Sequence, residues 1–372
     1  MKLVKNGRNT AGNQRWKCPK CGASSTRKRD DRSRLFTLQR FLDWLLGKHT
    51  QADTKPGGTG RTFRHQVRWC WDLQPRITVT GEVHDVIQID GFNLRTGWCV
   101  LVAISRNKIV AYQWCARESQ AAWSALFVRL PEPVVVVCDG GPGMHAALKE
   151  HWPGARVQRC LVHLQRNVRK YVTTRSKTAA GKALWGLALT LTRVKSANDA
   201  EQWTRLLLAW EAEYLHLTRV RTYRKHAVEV PSWARPGQQW WYTHQRLRSG
   251  HQVLRRVIKS GQLFTFLDPQ LNELNVPSST NRIEGGTNSQ MRLLLLHHRG
   301  MTEEHQRRAI EWWLYLHSAH PDPARVLAEN ERRPAPKQRP ALTEPGPGPA
   351  LYGTGLDATE GLWMRSGWAG RG

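Results

Sequence analysis

The chain has 372 residues and carries 57 Lys and Arg against 29 Asp and Glu, a net charge of +28 with a pI near 10.6. A field of that size favours polyanions, chiefly nucleic acid. A basic membrane-surface protein would need a basic amphipathic anchor, which is not found, and no apolar run is long enough to span a bilayer.

At 40% apolar residues there is material for roughly two to four domains. The charge is uneven: +13 over residues 1–80, +1 over 81–160, +12 over 161–280 and +2 over 281–372. A nearly neutral block between two basic ones fits a catalytic core whose neighbours grip phosphates. "MKLVKNGRNT" has no apolar h-region, so it is no secretory signal. Seven cysteines, an odd number, point to a reducing compartment and a cytoplasmic protein.

Residues 1–30 are expected to form a partial zinc-ribbon-like segment. "RWKCPKCG" places Cys18 and Cys21 in a C-x-x-C, half of a zinc ligand set. His49, His65 and Cys70 are further candidate donors, and a reduced, metal-free loop is the alternative. Residues 31–78 follow a helix–turn–helix rhythm. Leu35, Leu38, Leu42, Leu45 and Leu46 recur at the spacing of one helical face, with Ser33 as cap and Gly47 as stop. After the turn "TKPGGTG", the second helix turns Phe63, Val67 and Trp71 inward and Arg61, Arg64, His65 and Arg68 outward. Those four are the candidate DNA-binding residues, since a basic helix after a turn is what a major-groove reader needs. An ordinary helical hairpin has the same pattern.

Residues 82–163 change character. "VIQIDGF", "WCVLVAIS" and "KIVAYQWCA" read as strands, with Arg106 and Asn107 as a tight turn between the last two. "ESQAAWSALFVRL" reads as a helix. "PVVVVCDG" reads as a strand buried on both faces, and a short helix and the strand "ARVQRC" follow. Three antiparallel strands followed by parallel additions form a ribonuclease H-like α/β layout. Residues 164–277 read as an all-α insertion rich in Arg and Trp, with Trp203, Leu207 and Trp210 as a core stripe. Residues 278–322 resume the core with helices, and the Pro/Gly-rich stretch 331–372 is expected to be disordered.

Asp90 lies in the middle of the first strand and Asp139 at the end of the fourth. A charged Asp on a buried strand is unfavourable unless it is paired or binds a cation. In this layout the two strands are neighbours, so the carboxylates come within reach of one metal ion. Phosphoryl transfer with two Mg²⁺ (or Mn²⁺) ions needs a third ligand from a later helix. Glu284, in "SSTNRIEGGTNSQMR", is the acidic residue where core signals resume. Asn288 and Arg292, one and two turns on, could position it and hold a phosphate. Gly285 and Gly286 then read as clearance for a close approach to the sheet or to DNA.

"IDGF", "VVCDGGPGM", "RCLVHLQRNV" and "TNRIEGGTNSQMR", in this order, resemble the Mutator-type DDE transposases of bacterial insertion sequences. The resemblance runs over roughly residues 1–320. It implies Asp90, Asp139 and Glu284 as a catalytic triad holding Mg²⁺, and residues 164–280 as the family's helical insertion. Cys160 and His163 match its C-x-x-H signature, as structural or site-supporting residues; a buried Cys near a capping His is the alternative. The family's zinc ribbon is incomplete here, as in a chain that starts late or is truncated. The implied function is binding of terminal inverted repeats in double-stranded DNA, strand cleavage and strand transfer into target DNA. A homodimer or larger assembly on DNA and a nucleoid-associated location follow, with no membrane partner. A structure-specific nuclease of the same fold, or a DNA-binding regulator with an inactive core, are the rivals.

Overall fold

The computed structural model describes residues 3–26, 30–47, 51 and 60–332. The stretches around His49 and the "TKPGGTG" turn, and the Pro/Gly-rich end from residue 333, lie outside the described residues. Met1–Leu327 form one compact unit; Ala328–Gly372 form a second, described only as far as Arg332.

Three short strands open the chain: β1 (Val4–Arg8), β2 (Gln14–Lys17) and β3 (Ser24–Thr26), an antiparallel sheet in that order. Cys18 and Cys21 occupy the β2–β3 turn, which closes through Cys18 N–H to Ala23 O and Gly22 N–H to Cys18 O.

Helix α1 (Asp30–Leu46) follows. It starts three residues before Ser33, so Ser33 is not its cap. Leu38, Phe41, Leu42, Trp44 and Leu45 are buried, whereas Leu46 is 38% exposed. Each residue turns the helix by about 100°, and that step carries Leu46 off the face shared by Leu38, Leu42 and Leu45. Helix α2 (Gly60–Val67) buries Phe63 and Val67 and runs into a 3₁₀ turn, Arg68–Asp72.

The main sheet has five strands: β4 (Val86–Asn93), β5 (Cys99–Ser105), β6 (Lys108–Cys115), β7 (Val135–Cys138) and β8 (Arg156–Arg159). Their spatial order is β6-β5-β4-β7-β8. β4, β5 and β6 are antiparallel; β7 and β8 add in parallel. The β5–β6 turn uses Arg106 and Asn107 at φ 45° and 65°, the left-handed pair that a two-residue hairpin requires. Helices α3 (Gln120–Phe127) and α4 (Pro142–His151) supply the parallel crossovers. They pack Trp123, Phe127, Met144 and Trp152 on the face bearing Ile87, Ile89 and Leu101. The other face, with Phe92, Val100 and Val102, shares one core with α1, α2 and the helices Ser289–His297 and Glu303–Leu316.

Helices α5 (Leu161–Val172), α6 (Ala179–Thr190), α7 (Ala197–Tyr214) and α8 (Gln245–Lys259) make a separate core in which Trp203, Leu207 and Trp210 are buried. The insertion is not all-α. β9 (Arg221–Tyr223) and β10 (Trp240–Tyr242) pair antiparallel within it. Their Thr, Tyr and Trp residues favour strands, and Arg221 stands 4.2 Å from the Trp240 ring.

A π-helical turn, Arg282–Asn288, leads into α9 (Ser289–His297). Thr302 caps a new helix, α10 (Glu303–Leu316), before α11 (Pro323–Arg332).

Candidate active site

The site candidates converge where β4 and β7 end. Their parallel register runs Val86↔Val135, Ile87↔Val136 and Gln88↔Val137. Asp90 lies two residues beyond the last of these pairs on β4, and Asp139 follows directly after the end of β7 at Cys138. Neighbouring strands are about 4.8 Å apart, so the two aspartates stand on adjacent chains of the sheet. Asp90 is 9% exposed. Asp139 caps the turn into α4 by accepting the Gly141 N–H at 3.0 Å on Oδ1.

Asn288 comes from the late segment to this place. Its Nδ2 donates to Asp90 Oδ2 at 3.0 Å, a contact buried 198 residues apart in sequence. The contact described for Asn288 is thus with Asp90. The Glu284 backbone lies in the π-helical turn, and its side chain lies outside the described part. Such a turn widens the helix and is frequent at functional sites. The Ser289 hydroxyl donates to the Gly285 and Gly286 carbonyls, stabilising the widened turn. Gly285 and Gly286 do not serve close packing on the sheet. A Cβ at Gly285 would meet only Asn281 Oδ1 at 3.7 Å, and one at Gly286 would meet nothing within 4 Å. Arg292 lies 5.5 Å from the ring of Phe92, two residues past Asp90 on β4.

Cys160 and His163 clamp the approach to the π-helical turn. The Thr280 N–H donates to Cys160 Sγ at 3.3 Å, and Thr280 Oγ1 lies 3.4 Å from His163 Nδ1. Leu161 N–H donates to Ser278 O beside them. Burial alone would raise the Cys160 thiol, but hydrogen bonds with His163 and Thr280 outweigh it and leave its pKa lowered. The C-x-x-H pair thus ties the start of α5 to the segment that carries Glu284.

Two further residues at this end had no strong sequence signal. Arg159 donates to the Asp139 carbonyl and lies 3.4 Å from His145 Nε2. Glu118, just before α3, is exposed as a residue, yet its carboxyl end packs over Gly91. Desolvation first, then the nearby Asp139 charge, raise its pKa. An acidic residue at a helix start is ordinary. The usable signal was Gly91, a glycine inside a strand, which marks a close approach.

At the N-terminal sheet, the Cys21 backbone N–H holds the Cys18 thiol below its ordinary value. Among the described residues no third His, Cys, Asp or Glu joins the pair. Cys70 is fully buried in the apolar core and desolvation pushes its thiol up to about 12. Two thiols are half of a tetrahedral set, so the described residues do not by themselves fit a zinc ion.

Arg61, Arg64, His65 and Arg68 are all exposed. Arg64, His65 and Arg68 line a cleft of about 790 Å³ together with His297, Arg299 and His305 from the α9–α10 region. Those late residues extend the basic face beyond the helix that the sequence singled out.

Residues 93–241 match the Mutator family of transposases. Asp139, Cys160 and His163 lie inside the matched segment; Asp90 and Glu284 lie outside it. The chain is also similar to the transposase for insertion sequence element IS905 of Lactococcus lactis subsp. lactis (strain IL1403), at 29% identity over 101 residues. That alignment covers 23% of this chain and 26% of the relative. Among the described residues no helix is long and apolar enough to cross a membrane.

Proposed function

We propose that the protein is a DDE transposase, with a ribonuclease H-like core, that cleaves the ends of an insertion sequence and joins them to target DNA. The observation that carries this reading is the bond from Asn288 to Asp90 on β4, the strand that pairs in parallel with the strand leading to Asp139. The strand order β6-β5-β4-β7-β8 supports the core assignment. The donor set consists of hard carboxylate oxygens, which suits Mg²⁺ or Mn²⁺.

Asp90, Asp139 and Glu284 would hold the ions. Divalent cations at such a site stabilise both the attacking and the leaving oxygen of an in-line phosphodiester displacement. Asn288 fixes the Asp90 carboxylate. Thr280, Cys160 and His163 fix the segment that delivers Glu284. Arg61, Arg64, His65 and Arg68 would contact the terminal inverted repeats, and the basic insertion would hold flanking DNA without sequence preference. Two ends and one target call for at least a dimer. Zinc is assigned no step.

Glu284→Gln tests the assignment. Cutting of inverted-repeat DNA should be lost while binding in a gel-shift titration stays within about twofold, a change well under 1 kcal/mol. Undiminished cutting would remove Glu284 from the site.

A further inference from the structure

The helical insertion carries an aromatic surface that the carboxylate site does not use. Strands β9 and β10 put Trp240 and Tyr242, two residues apart, on one face of their ribbon, and Arg221 pairs with Tyr242 in register. The Arg221 guanidinium stands 4.2 Å from the Trp240 ring centre and 6.0 Å from that of Tyr242. Arg248 of α8 covers Tyr242 at 4.0 Å. Guanidinium planes thus brace the rings. Trp241, on the other face, is 5% exposed and meets Trp233 edge-on at 6.4 Å. Trp233 is the one exposed tryptophan among the described residues, at 56%.

Trp233 lines two clefts of about 600 Å³ each. The walls of the first include Trp240, Trp241, Tyr242 and Arg235. Those of the second include Arg175, Lys177 and Arg246, with the hydroxyl residues Ser176, Thr178 and Thr243. Trp233 and Gln245 belong to both, so the two clefts are neighbours. No Asp or Glu lines either one. Arg246 is fixed in the second cleft by donating to the Tyr171 carbonyl at 2.8 Å and the Lys170 carbonyl at 3.0 Å.

An aromatic cleft beside a cationic one matches the two halves of a nucleotide strand. Unpaired bases stack on flat rings, and Lys and Arg neutralise the phosphates. A duplex keeps its bases inside the stack and offers Trp233 only a backbone. A protein segment would suit the aromatic cleft alone, whereas the cationic neighbour favours a polyanion. We propose that the β9–β10 ribbon and the α5–α6 turn bind single-stranded DNA, with an unpaired base stacked on Trp233 and a neighbouring phosphate on Arg175 and Lys177. This rests on the reading of the insertion as a DNA-holding region and adds that it holds unpaired bases.

The experiment is a fluorescence-anisotropy titration of the full chain, without metal, at about 150 mM salt, where exposed charge contacts are screened. The probes are an oligothymidine of about 12 nucleotides, within the span such sites cover, an abasic strand of the same length and a duplex of the same length. Trp233→Ala should weaken oligothymidine binding about tenfold, and Trp233→Phe should restore most of it. The abasic strand and the duplex should move by less than about twofold. Arg175→Ala combined with Lys177→Ala should weaken both single strands alike and reduce the salt slope of log K by about 1.4. Unchanged oligothymidine binding by Trp233→Ala overturns the proposal and leaves the aromatic cleft to a protein partner. An equal loss on all three probes makes Trp233 a structural support and also overturns it. If the natural sequence binds the abasic strand as tightly as oligothymidine, no base is stacked and the proposal falls, while holding of DNA by charge stands. Binding of none of the three removes the DNA-holding reading itself.

Discussion

The end of the five-stranded sheet and the helical block of α5–α8 treat buried polarity in opposite ways. In the helical block the polar atoms are matched. His251 Nε2 sits 2.6 Å from Glu211 Oε1, and Arg255 lies 3.2 Å from the same oxygen. Trp203 and Trp210 donate their indole N–H groups to the Leu187 and Ala180 carbonyls. At the sheet end, Arg159 Nε and Asn288 Oδ1 are buried without partners. Under the proposed function, the open polar groups of the second region are the ones that a ligand would satisfy.

That contrast can be broken from either side. The larger stability effect is expected in the helical block. Glu211→Ala strands His251 in a buried position and removes an ion pair from half-exposed Arg255, so it should lower unfolding free energy by roughly 1–3 kcal/mol. Denaturant titration would show this, and Mn²⁺ affinity should be unchanged. A loss of Mn²⁺ binding there would mean that the two regions are not separate. The smaller stability effect is expected at the sheet end. Gly286→Leu adds a side chain into open space, so the unfolding midpoint should hold. DNA cleavage should nevertheless fall by about tenfold or more if that open space faces the substrate backbone, as a close approach of that kind requires. Intact cleavage would return the glycine pair to a role in the π-helical turn alone.

Much of this was legible before any coordinates. The continuous apolar run before Asp139 and the mid-strand position of Asp90 predicted neighbouring strands, and the β4–β7 register places them so. Helix phase was less legible. Leu46 looked like core because leucine is apolar, but Trp44 takes the buried position and the face turns away one residue later. The β9–β10 pair was lost inside a region dominated by helical spacing, because three-residue strands carry too little alternation to register. The π-helical turn was not legible at all. The glycine pair suggested tight packing, whereas the widened turn holds itself through Ser289. The bond from Asn288 to Asp90 was not legible, since it spans 198 residues and no local pattern encodes it. Glu118 was missed because its neighbourhood is made by Gly91 and Gly143 from two other elements.

The most direct test of the account is joining, not cutting. Pre-cleaved inverted-repeat ends with free 3′-hydroxyls, incubated with a target duplex and Mg²⁺, should yield strand-transfer product with the natural sequence. Asp90→Asn should yield at least about a hundredfold less, the scale of loss when a metal site is disrupted. Hydrolysed DNA with no joined product, or equal joining by Asp90→Asn, would contradict the account.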